Sequence, residues 1–600
     1  MKKNDWILLA TVAAYSFLFY KQNAGINFTL FTIMLIIALF IKNKQLIKQN
    51  TWKMVAAGSL ISSLCVGYYG TDLAIIANVL SVSLLSALSY SPSASVLISL
   101  LFSLYSYASA PAMMFLDWQS RKLKSSSSGI KWRLILGPVF ITVIFFLMYR
   151  ASNTLFNNFT KNINPDFISW HWILFTTGGL ILSYGFFYHQ RIEPLDEMDR
   201  NSPNEINPKN LRIVTWFGKE IAIHDEEFSG RLLFILLNAL LLIVNALDIQ
   251  FLFINRQLPG DVTYSEFVHQ GTGMLITSIM IAIAIILFYF RGALNFSEKS
   301  KFIKTLAYLW IIQNAFMILS TAFRNNMYVM EYGLTYKRIG VYIYLLLTLI
   351  GLFTTAIKIL KHKSNAFLFR INGWIFYGFL IITTFVNWDR LIIDFNVHKA
   401  KQTQRDYLLT LSSTVLPKLY AYETAFSLQK KSTYPPRISF EDERDRHLHF
   451  FLRSSRNKSW KSWTVDDWRV LSELKALEVN QKIKKLNFFE SRLKSLESLD
   501  VFDQLQELDV SYNMLTDVSE LENIPTLERL YLQGNKITSL HGIETLQNLR
   551  SIDVRYNRLS DYNPLYGLKK LDSVTVDSGI SDSQYELLQR NLPETKILKK

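Results

Sequence analysis

Gly230-Arg231-Leu232-Leu233-Phe234-Ile235-Leu236-Leu237-Asn238-Ala239-Leu240-Leu241-Leu242-Ile243-Val244-Asn245-Ala246-Leu247-Asp248-Ile249-Gln250-Phe251-Leu252 is the stretch on which the fold turns. A helix crossing the hydrocarbon core needs about 20 mostly apolar residues, and Arg231–Leu252 supplies them. Four more such runs follow, Val268–Phe290, Phe302–Phe323, Ile339–Leu360 and Phe369–Trp388. Upstream come Trp6–Tyr20, Ile26–Ile41, Trp52–Gly70, Asp72–Tyr90, Ser93–Leu116, Trp132–Tyr149 and Phe167–Tyr188. The expectation is an all-α membrane bundle of about twelve spans, with the first run an anchor helix rather than a cleaved leader.

Composition agrees. Half of the residues are hydrophobic and 14% aromatic, while only 19% are charged. Charge is sparse before Trp388 and dense from Asp389 onward, which separates a membrane part from a soluble part. The formal net charge is +16. In a soluble chain this would suggest nucleic acid, but here the Lys and Arg residues flank apolar runs, as the positive-inside rule expects. Nucleic acid is therefore not an expected partner, and the lipid bilayer is. The single cysteine, Cys65, excludes an internal disulfide and a Cys-pair zinc site; no cofactor or metal is expected.

Basic loops set an orientation. Arg121–Arg133, Arg191–Lys219, Arg291–Lys304 and Lys358–Arg370 alternate with poorer loops, which assigns them to the cytoplasm. One further span then places everything after Trp388 outside, in a bacterial plasma membrane. Lys42, Lys44, Lys48 and Lys53 conflict with this alternation.

Polar residues inside spans are either functional or interhelical glue. Asn238, Asn245 and Asp248 share one helical face, and Gln313 with Asn314 sits mid-span in a later helix. Glue is the favoured reading; a polar path between helices is the other.

Several motifs resemble one family. Leu258–Gly271, Tyr308-Leu309-Trp310-Ile311-Ile312-Gln313-Asn314, Glu331-Tyr332-Gly333-Leu334-Thr335 with Arg338, and Asn387-Trp388-Asp389-Arg390 through Asn396 are similar to bacterial multi-spanning proteins of domain of unknown function 4173, with 4153 a close relative. The resemblance covers about residues 230 to 420, extending toward Trp468 and more loosely over the earlier spans, and implies a membrane protein without an assigned activity. Read from the residues, Tyr264, Glu266, His269, Tyr328, Glu331, Tyr332, Arg338, Asp389 and Arg390 should crowd one outer rim. Glu331 and Asp389 could pair there with Arg338 and Arg390. Such a rim could bind a ligand, but an interfacial belt with paired loops is the plainer reading.

Tyr434-Pro435-Pro436-Arg437 interrupts the chain after the last span. His447 and His449 alternate in a charged run, without a third ligand to complete a metal site.

From Ile483 a period of 22 residues begins, at Ile483, Leu505, Leu527, Leu549 and Leu571. Each unit follows Leu-x-x-Leu-x-Leu-x-x-Asn-x-Leu, with Asn513, Asn535 and Asn557 in the central units. Ser491 replaces that Asn in the first unit and Gly579 in the last. This is a leucine-rich repeat, and its length resembles the internalin and protein-phosphatase-regulator type. Units stack because none can bury its apolar face alone. Trp468–Leu477 should cap the start, and Tyr585–Leu598 the end. Phe489, Asp509, Tyr512, Arg529, Tyr531, Asp553, Arg555 and Tyr556 should stand on the outward strand face, where Tyr and Arg suit a binding surface.

The expected organisation is an N-terminal membrane region (1–228), a membrane region with the family motifs (229–396), a linker and cap (397–480) and a small α/β repeat solenoid (481–600). The favoured function is a membrane-anchored scaffold or sensor that binds a protein or surface ligand through its repeats. A small-molecule transporter regulated by the repeats is the alternative. An enzyme ranks last, because no nucleophile elbow, P-loop or dinucleotide fingerprint is present.

Overall fold

The computed structural model describes residues 3–124, 169–208, 215–216, 219–220, 223–250, 264–297, 300–402, 404–423 and 439–600, with short pieces between 138 and 160. Most of the expected span Trp132–Tyr149, the Pro435-Pro436 break and the first six residues of the Leu258–Gly271 motif lie outside them. Helices run α1 (Lys3–Phe19), α2 (Ile26–Lys42), α3 (Asn50–Tyr69), α4 (Asp72–Tyr90), α5 (Val96–Lys124), α6 (Trp170–Phe187) and α7 (Glu193–Asn201). A small hairpin of β1 (Thr215–Trp216) and β2 (Lys219–Glu220) precedes α8 (Ile223–Ile249), α9 (Tyr264–Tyr289), α10 (Ser300–Tyr332), α11 (Tyr336–Leu360) and α12 (Asn365–Thr383). Side-chain oxygens start these helices, such as Thr71 for α4, Ser169 for α6, Thr335 for α11 and Ser364 for α12.

Among the described residues, six helices are long and apolar enough to cross a membrane: α4, α5 over Val96–Asp117, α8, α10, α11 and α12. This falls short of the twelve expected. Helices α1 and α2 have 17 residues each. Helix α3 is diluted by Ser59, Ser62 and Ser63, all buried, and Asn78 of α4 donates to the Ser59 carbonyl at 3.0 Å.

The helix ends define two faces. On one, Lys42 bonds the Phe187 carbonyl and the Tyr90 hydroxyl, Arg370 meets Asp199, Lys363 meets Glu205, and Arg291 meets Glu226. The Lys42–Lys53 segment thus joins the basic loops at Arg191, Arg291 and Lys358. Helix α5 runs antiparallel to α6, with Ser106 beside His189 and Asp117 beside Tyr184. Its basic end therefore heads for the opposite face, which corrects the expected grouping of the Arg121 loop.

The opposite face carries the rest of the chain. Here α13 (Trp388–His398), α14 (Arg405–Leu409), α15 (Leu416–Ala421), α16 (Phe440–Arg456), α17 (Val465–Ala476) and α18 (Val479–Lys482) form a helical layer. The expectation of a linker at 397–480 understates this layer. One hydrophobic core runs from Leu334 and Ile339 through Ile392, Leu416 and Leu474 into the repeats. The layer also grips the membrane body. The Trp463 carbonyl accepts from the Ile26 amide at 3.1 Å, Ser462 accepts from the Asn23 amide at 2.9 Å, and Lys461 donates to the Phe17 carbonyl at 2.7 Å.

The solenoid is a parallel sheet of β3 (Lys485–Asn487), β4 (Glu507–Asp509), β5 (Arg529–Tyr531), β6 (Ser551–Asp553), β7 (Ser573–Val576) and β8 (Lys596–Lys599), in sequence order. Leu486, Leu508, Leu530, Ile552 and Val574 are in register and fully buried, so the repeat period of the sequence is the strand register. Asn535 Nδ2 donates to the Val510 and Leu532 carbonyls, and its Oδ1 accepts from the Leu515 amide. Asn513 and Asn557 repeat this pattern. Helix α19 (Asp582–Asn591) and β8 close the far end. The near end is covered by α16 as well as by the expected α17 segment. Arg446 of α16 donates to the Asn487 and Phe489 carbonyls beside β3.

His449, on the same helix, is buried among Phe450, Phe488 and Phe502. Its Nε2–H donates to the Glu497 carbonyl at 3.0 Å. Burial lowers its imidazole below the ordinary 6.5, the carbonyl opposing and Arg453 adding to the fall. The unfolded chain thus takes up this proton first on acidification, so stability present above 6.5 is lost as pH falls from there toward the depressed folded value. Thermal melts should therefore move to lower temperature between pH 7 and pH 5, and His449→Phe should flatten that slope. An equal slope in both proteins would remove His449 as its source. His447 stands apart, beside Glu443 at 3.5 Å.

Candidate functional site

Within the membrane body the polar residues bond one another. Gln313 Nε2 donates to Asn238 Oδ1 at 2.7 Å, and Asn238 donates to the Phe234 and Leu306 carbonyls. Asn245 donates to the Gln313 carbonyl at 3.2 Å, and Asn314 to the Trp310 carbonyl at 2.8 Å. Asp248 accepts from Ser320 at 2.6 Å and pairs with Arg324. All but the local Asn314 bond and the Phe234 bond join α8 to α10, the arrangement of interhelical glue.

The rim residues are brought together in part. Tyr264, Glu266 and His269 fall in the first turns of α9, whose side chains lie outside the described residues. Arg338 is buried at the start of α11. It donates to the Tyr332 carbonyl at 2.9 Å and to the Gly333 carbonyl, with its guanidinium 4.1 Å above the Tyr328 ring. Tyr328 in turn meets Tyr332 edge to face at 5.2 Å. The sharp turn between α10 and α11 needs Gly333, whose φ is +81° and whose missing Cβ would lie 2.7 Å from Asn396 Oδ1. Asn396 fixes that turn by accepting from the Leu334 amide and donating to its carbonyl.

The expected ion pairs are not those observed. Glu331 binds Lys401 at 3.0 Å and Gln402 at 3.1 Å. Arg390 makes a two-pronged bond to Glu473 at 2.9 and 3.1 Å and lies 4.0 Å from Asp466. Buried Asp389 accepts from the Tyr336 hydroxyl at 2.7 Å, and from the Ser412 amide at 3.2 Å and hydroxyl. The reason is geometric: α13 turns over the α10–α11 turn, so partners come from the helical layer rather than from neighbouring motifs. Tyr336, Ser412, Asp466 and Glu473 were missed because nothing local in the sequence marks them.

Between these groups lies a cavity of ≈ 1100 Å³. One wall is the α3–α4 turn with Asp72 and Leu73; the other is α10 and α11 with Asn325, Tyr328 and Arg338. Trp388, Tyr407 and Ser412 belong to the segments above.

The repeat face has its own network. Glu507 binds Lys485 at 3.0 Å and Arg529 at 2.8 Å across three strands. Burial pushes the Glu507 carboxyl up, but its bonds to Lys485 and Arg529 outweigh this and hold it below the usual range. The spacing of 22 residues between Glu507 and Arg529 was the available signal for Glu507. Asp509 accepts from the Ser511 amide and hydroxyl. Asp553 clasps Arg555 at 2.7 Å, and the Arg555 guanidinium lies 5.8 Å from the Tyr556 ring. Phe489 packs against Tyr512 with rings 5.4 Å apart, and Tyr531 is partly buried on β5.

Tyr512 and Tyr556 are 46% and 57% exposed, at φ values of +56° and +55°. The equivalent position in the repeat between them is Gly534, at +73°. Left-handed backbone disfavours a bulky side chain by about 1–2 kcal/mol. Among the described residues no group of His, Cys, Asp and Glu could hold a metal ion.

Comparison with known proteins places two segments. Two copies of Leucine Rich repeats match residues 503–547. No curated protein matches. Among solved structures, an internalin (inlF) from Listeria monocytogenes is 25% identical with a TM-score of 0.19, over 25% of this chain and 41% of that one. An internalin C2 (inlC2) from the same organism is 20% identical with a TM-score of 0.18, over 25% of this chain and 62% of that one. This chain thus spans less than two thirds of either protein. The family described as Domain of unknown function (DUF4153) matches residues 7–422. Of the two related families the sequence resembles, this is the matching one, and the match takes in the earlier helices from α1 onward. It reaches to the helices above the cavity, and the chain belongs to the DUF4153 family.

Proposed function

We propose that this protein is a membrane-anchored scaffold or sensor whose solenoid binds a protein or surface ligand on its outward strand face and the turns that follow the strands, where Tyr512 and Tyr556 stand. The observation that carries the reading is the pair Tyr512 and Tyr556, large and exposed where the backbone favours glycine. Local strain of this kind concentrates at working surfaces, and Tyr and Arg dominate binding hot spots. The basic face, with Lys42, Arg291 and Lys363, supports a cytoplasmic assignment of the loops opposite the repeats. The repeats then lie on the outer side of a bacterial plasma membrane. We read the shorter apolar helices Asn4–Phe19, Ile26–Lys42 and Thr277–Tyr289 as crossing segments too, in a bundle of about twelve spans.

The test is a photo-crosslinking residue at Tyr531 in intact cells. Converting Tyr512 and Tyr556 to glycine should change stability by no more than about 1–2 kcal/mol, since glycine suits the left-handed backbone. It should weaken capture of the partner by on the order of 100-fold, the scale of one or two hot spots. Unchanged crosslinks in the double variant would sink the reading. An impermeant maleimide on Ser578→Cys, in a Cys65→Ala background, tests the sidedness independently.

A further inference from the structure

Among the described residues, the buried cation of the rim cavity has no direct ion pair. Arg338 is 7% exposed. Its partners are the Tyr332 and Gly333 carbonyls and the Tyr328 ring, and among the described residues no carboxylate lies within ion-pair distance. A buried guanidinium without a direct ion pair is unfavourable. Lys337, exposed beside it in the same lining, also forms no ion pair among the described residues. The lining also holds two acids, Asp389 and Asp72, so its formal charge is even, but neither lies within ion-pair distance of these cations. Asp389 is occupied by Tyr336 and Ser412, and Asp72 stands in the first turn of α4, where helix amides favour it. Arg338 is also the third residue of a membrane-length helix, Tyr336–Leu360, the depth of lipid headgroups. Tyr328, Tyr407, Trp388, Leu73 and Val341 give the cavity aromatic and apolar walls.

We propose that this cavity binds an amphiphile with a net anionic phosphate group, its phosphate on Arg338 and Lys337 and its apolar part against Trp388, Leu73 and Val341. Arginine favours such a group because its planar donors match two phosphate oxygens. The same chemistry could arrive as an anionic lipid headgroup or as a soluble phosphate compound. The inference does not depend on the repeat face.

The test uses the full chain in neutral detergent, titrated with dihexanoyl phosphatidylglycerol, dihexanoyl phosphatidylcholine and inorganic phosphate, and read by native mass spectrometry. The wild type should bind phosphatidylglycerol at least about tenfold more tightly than phosphatidylcholine. Arg338→Gln should abolish the preference, and Arg338→Lys should retain part of it. Val341→Trp, which fills the cavity and leaves Arg338 intact, should also abolish it, and it carries the test if Arg338→Gln fails to fold. Competition by millimolar inorganic phosphate would support a soluble source, and tight lipid binding without competition a lipid source. If the wild type binds neither inorganic phosphate nor phosphatidylglycerol in preference to phosphatidylcholine, the proposal is overturned. It is equally overturned if Val341→Trp and a folded Arg338→Gln both keep the wild-type preference.

Discussion

Asn535→Leu is expected to destabilise the solenoid by roughly 3–5 kcal/mol, enough to unfold it in part at room temperature. Leucine keeps the branched outline of the side chain, at somewhat larger volume, and removes its polar chemistry. Three backbone partners then lose their bonds, the Val510 and Leu532 carbonyls and the Leu515 amide. All belong to buried residues, and an unsatisfied buried group costs about 1–3 kcal/mol. Urea unfolding of the purified chain, followed by the far-ultraviolet signal, measures the change. Asn548→Leu is the control, because Asn548 is exposed and its two bonds, to the Pro525 carbonyl and from Lys570, lie at the surface; it should cost less than about 1 kcal/mol. Equal losses in the two variants would show that the buried ladder has no special weight.

Arg390→Ala should loosen the joint between the membrane body and the helical layer. Arg390 carries the two-pronged bond to Glu473 and faces Asp466, whose side chain is nearly inaccessible. Burial raises the Asp466 carboxyl above its ordinary value, while Arg390, Arg469 and the Asn387 amide pull it back. Removing Arg390 strips the largest of these opposing groups and leaves a buried acid underpaired. Breaking one partner of a buried pair costs about 3–5 kcal/mol; Arg469, 3.5 Å from Asp466, limits this to the lower end. Amide exchange over Val465–Ala476 reads the result, with protection falling on the order of 100-fold. Protection unchanged there would mean that Trp463 and Ser462, bonded to the α1–α2 loop, hold the joint without Arg390.

Such joints explain the family motif residues in physical terms. Gly333 makes room for Asn396, Asn387 caps α13 and reaches Asp466 at 3.1 Å, and Asp394 pairs with Lys418. Of the residues expected at the rim, Glu331, Asp389 and Arg390 are fasteners that seat the helical layer. Arg338 instead is buried beside the cavity and forms no direct ion pair among the described residues.

The sequence alone determined the two kinds of architecture and where each sits. Apolar runs of membrane length and a repeat of 22 residues are patterns along one dimension, and each dictates its own local burial. The buried Asn ladder and the strand register follow from the repeat directly. Pairing at the rim was decided only by the tertiary structure. Glu473 lies 83 residues from Arg390, and Ser412 lies 23 from Asp389; neither spacing belongs to any helix or strand period. The face on which Lys42 emerges was likewise set by packing, because α5 and α6 lie antiparallel where loop alternation implied otherwise. Side chains that meet through the path of the backbone leave no period in the chain, and so only the folded molecule brings them into view.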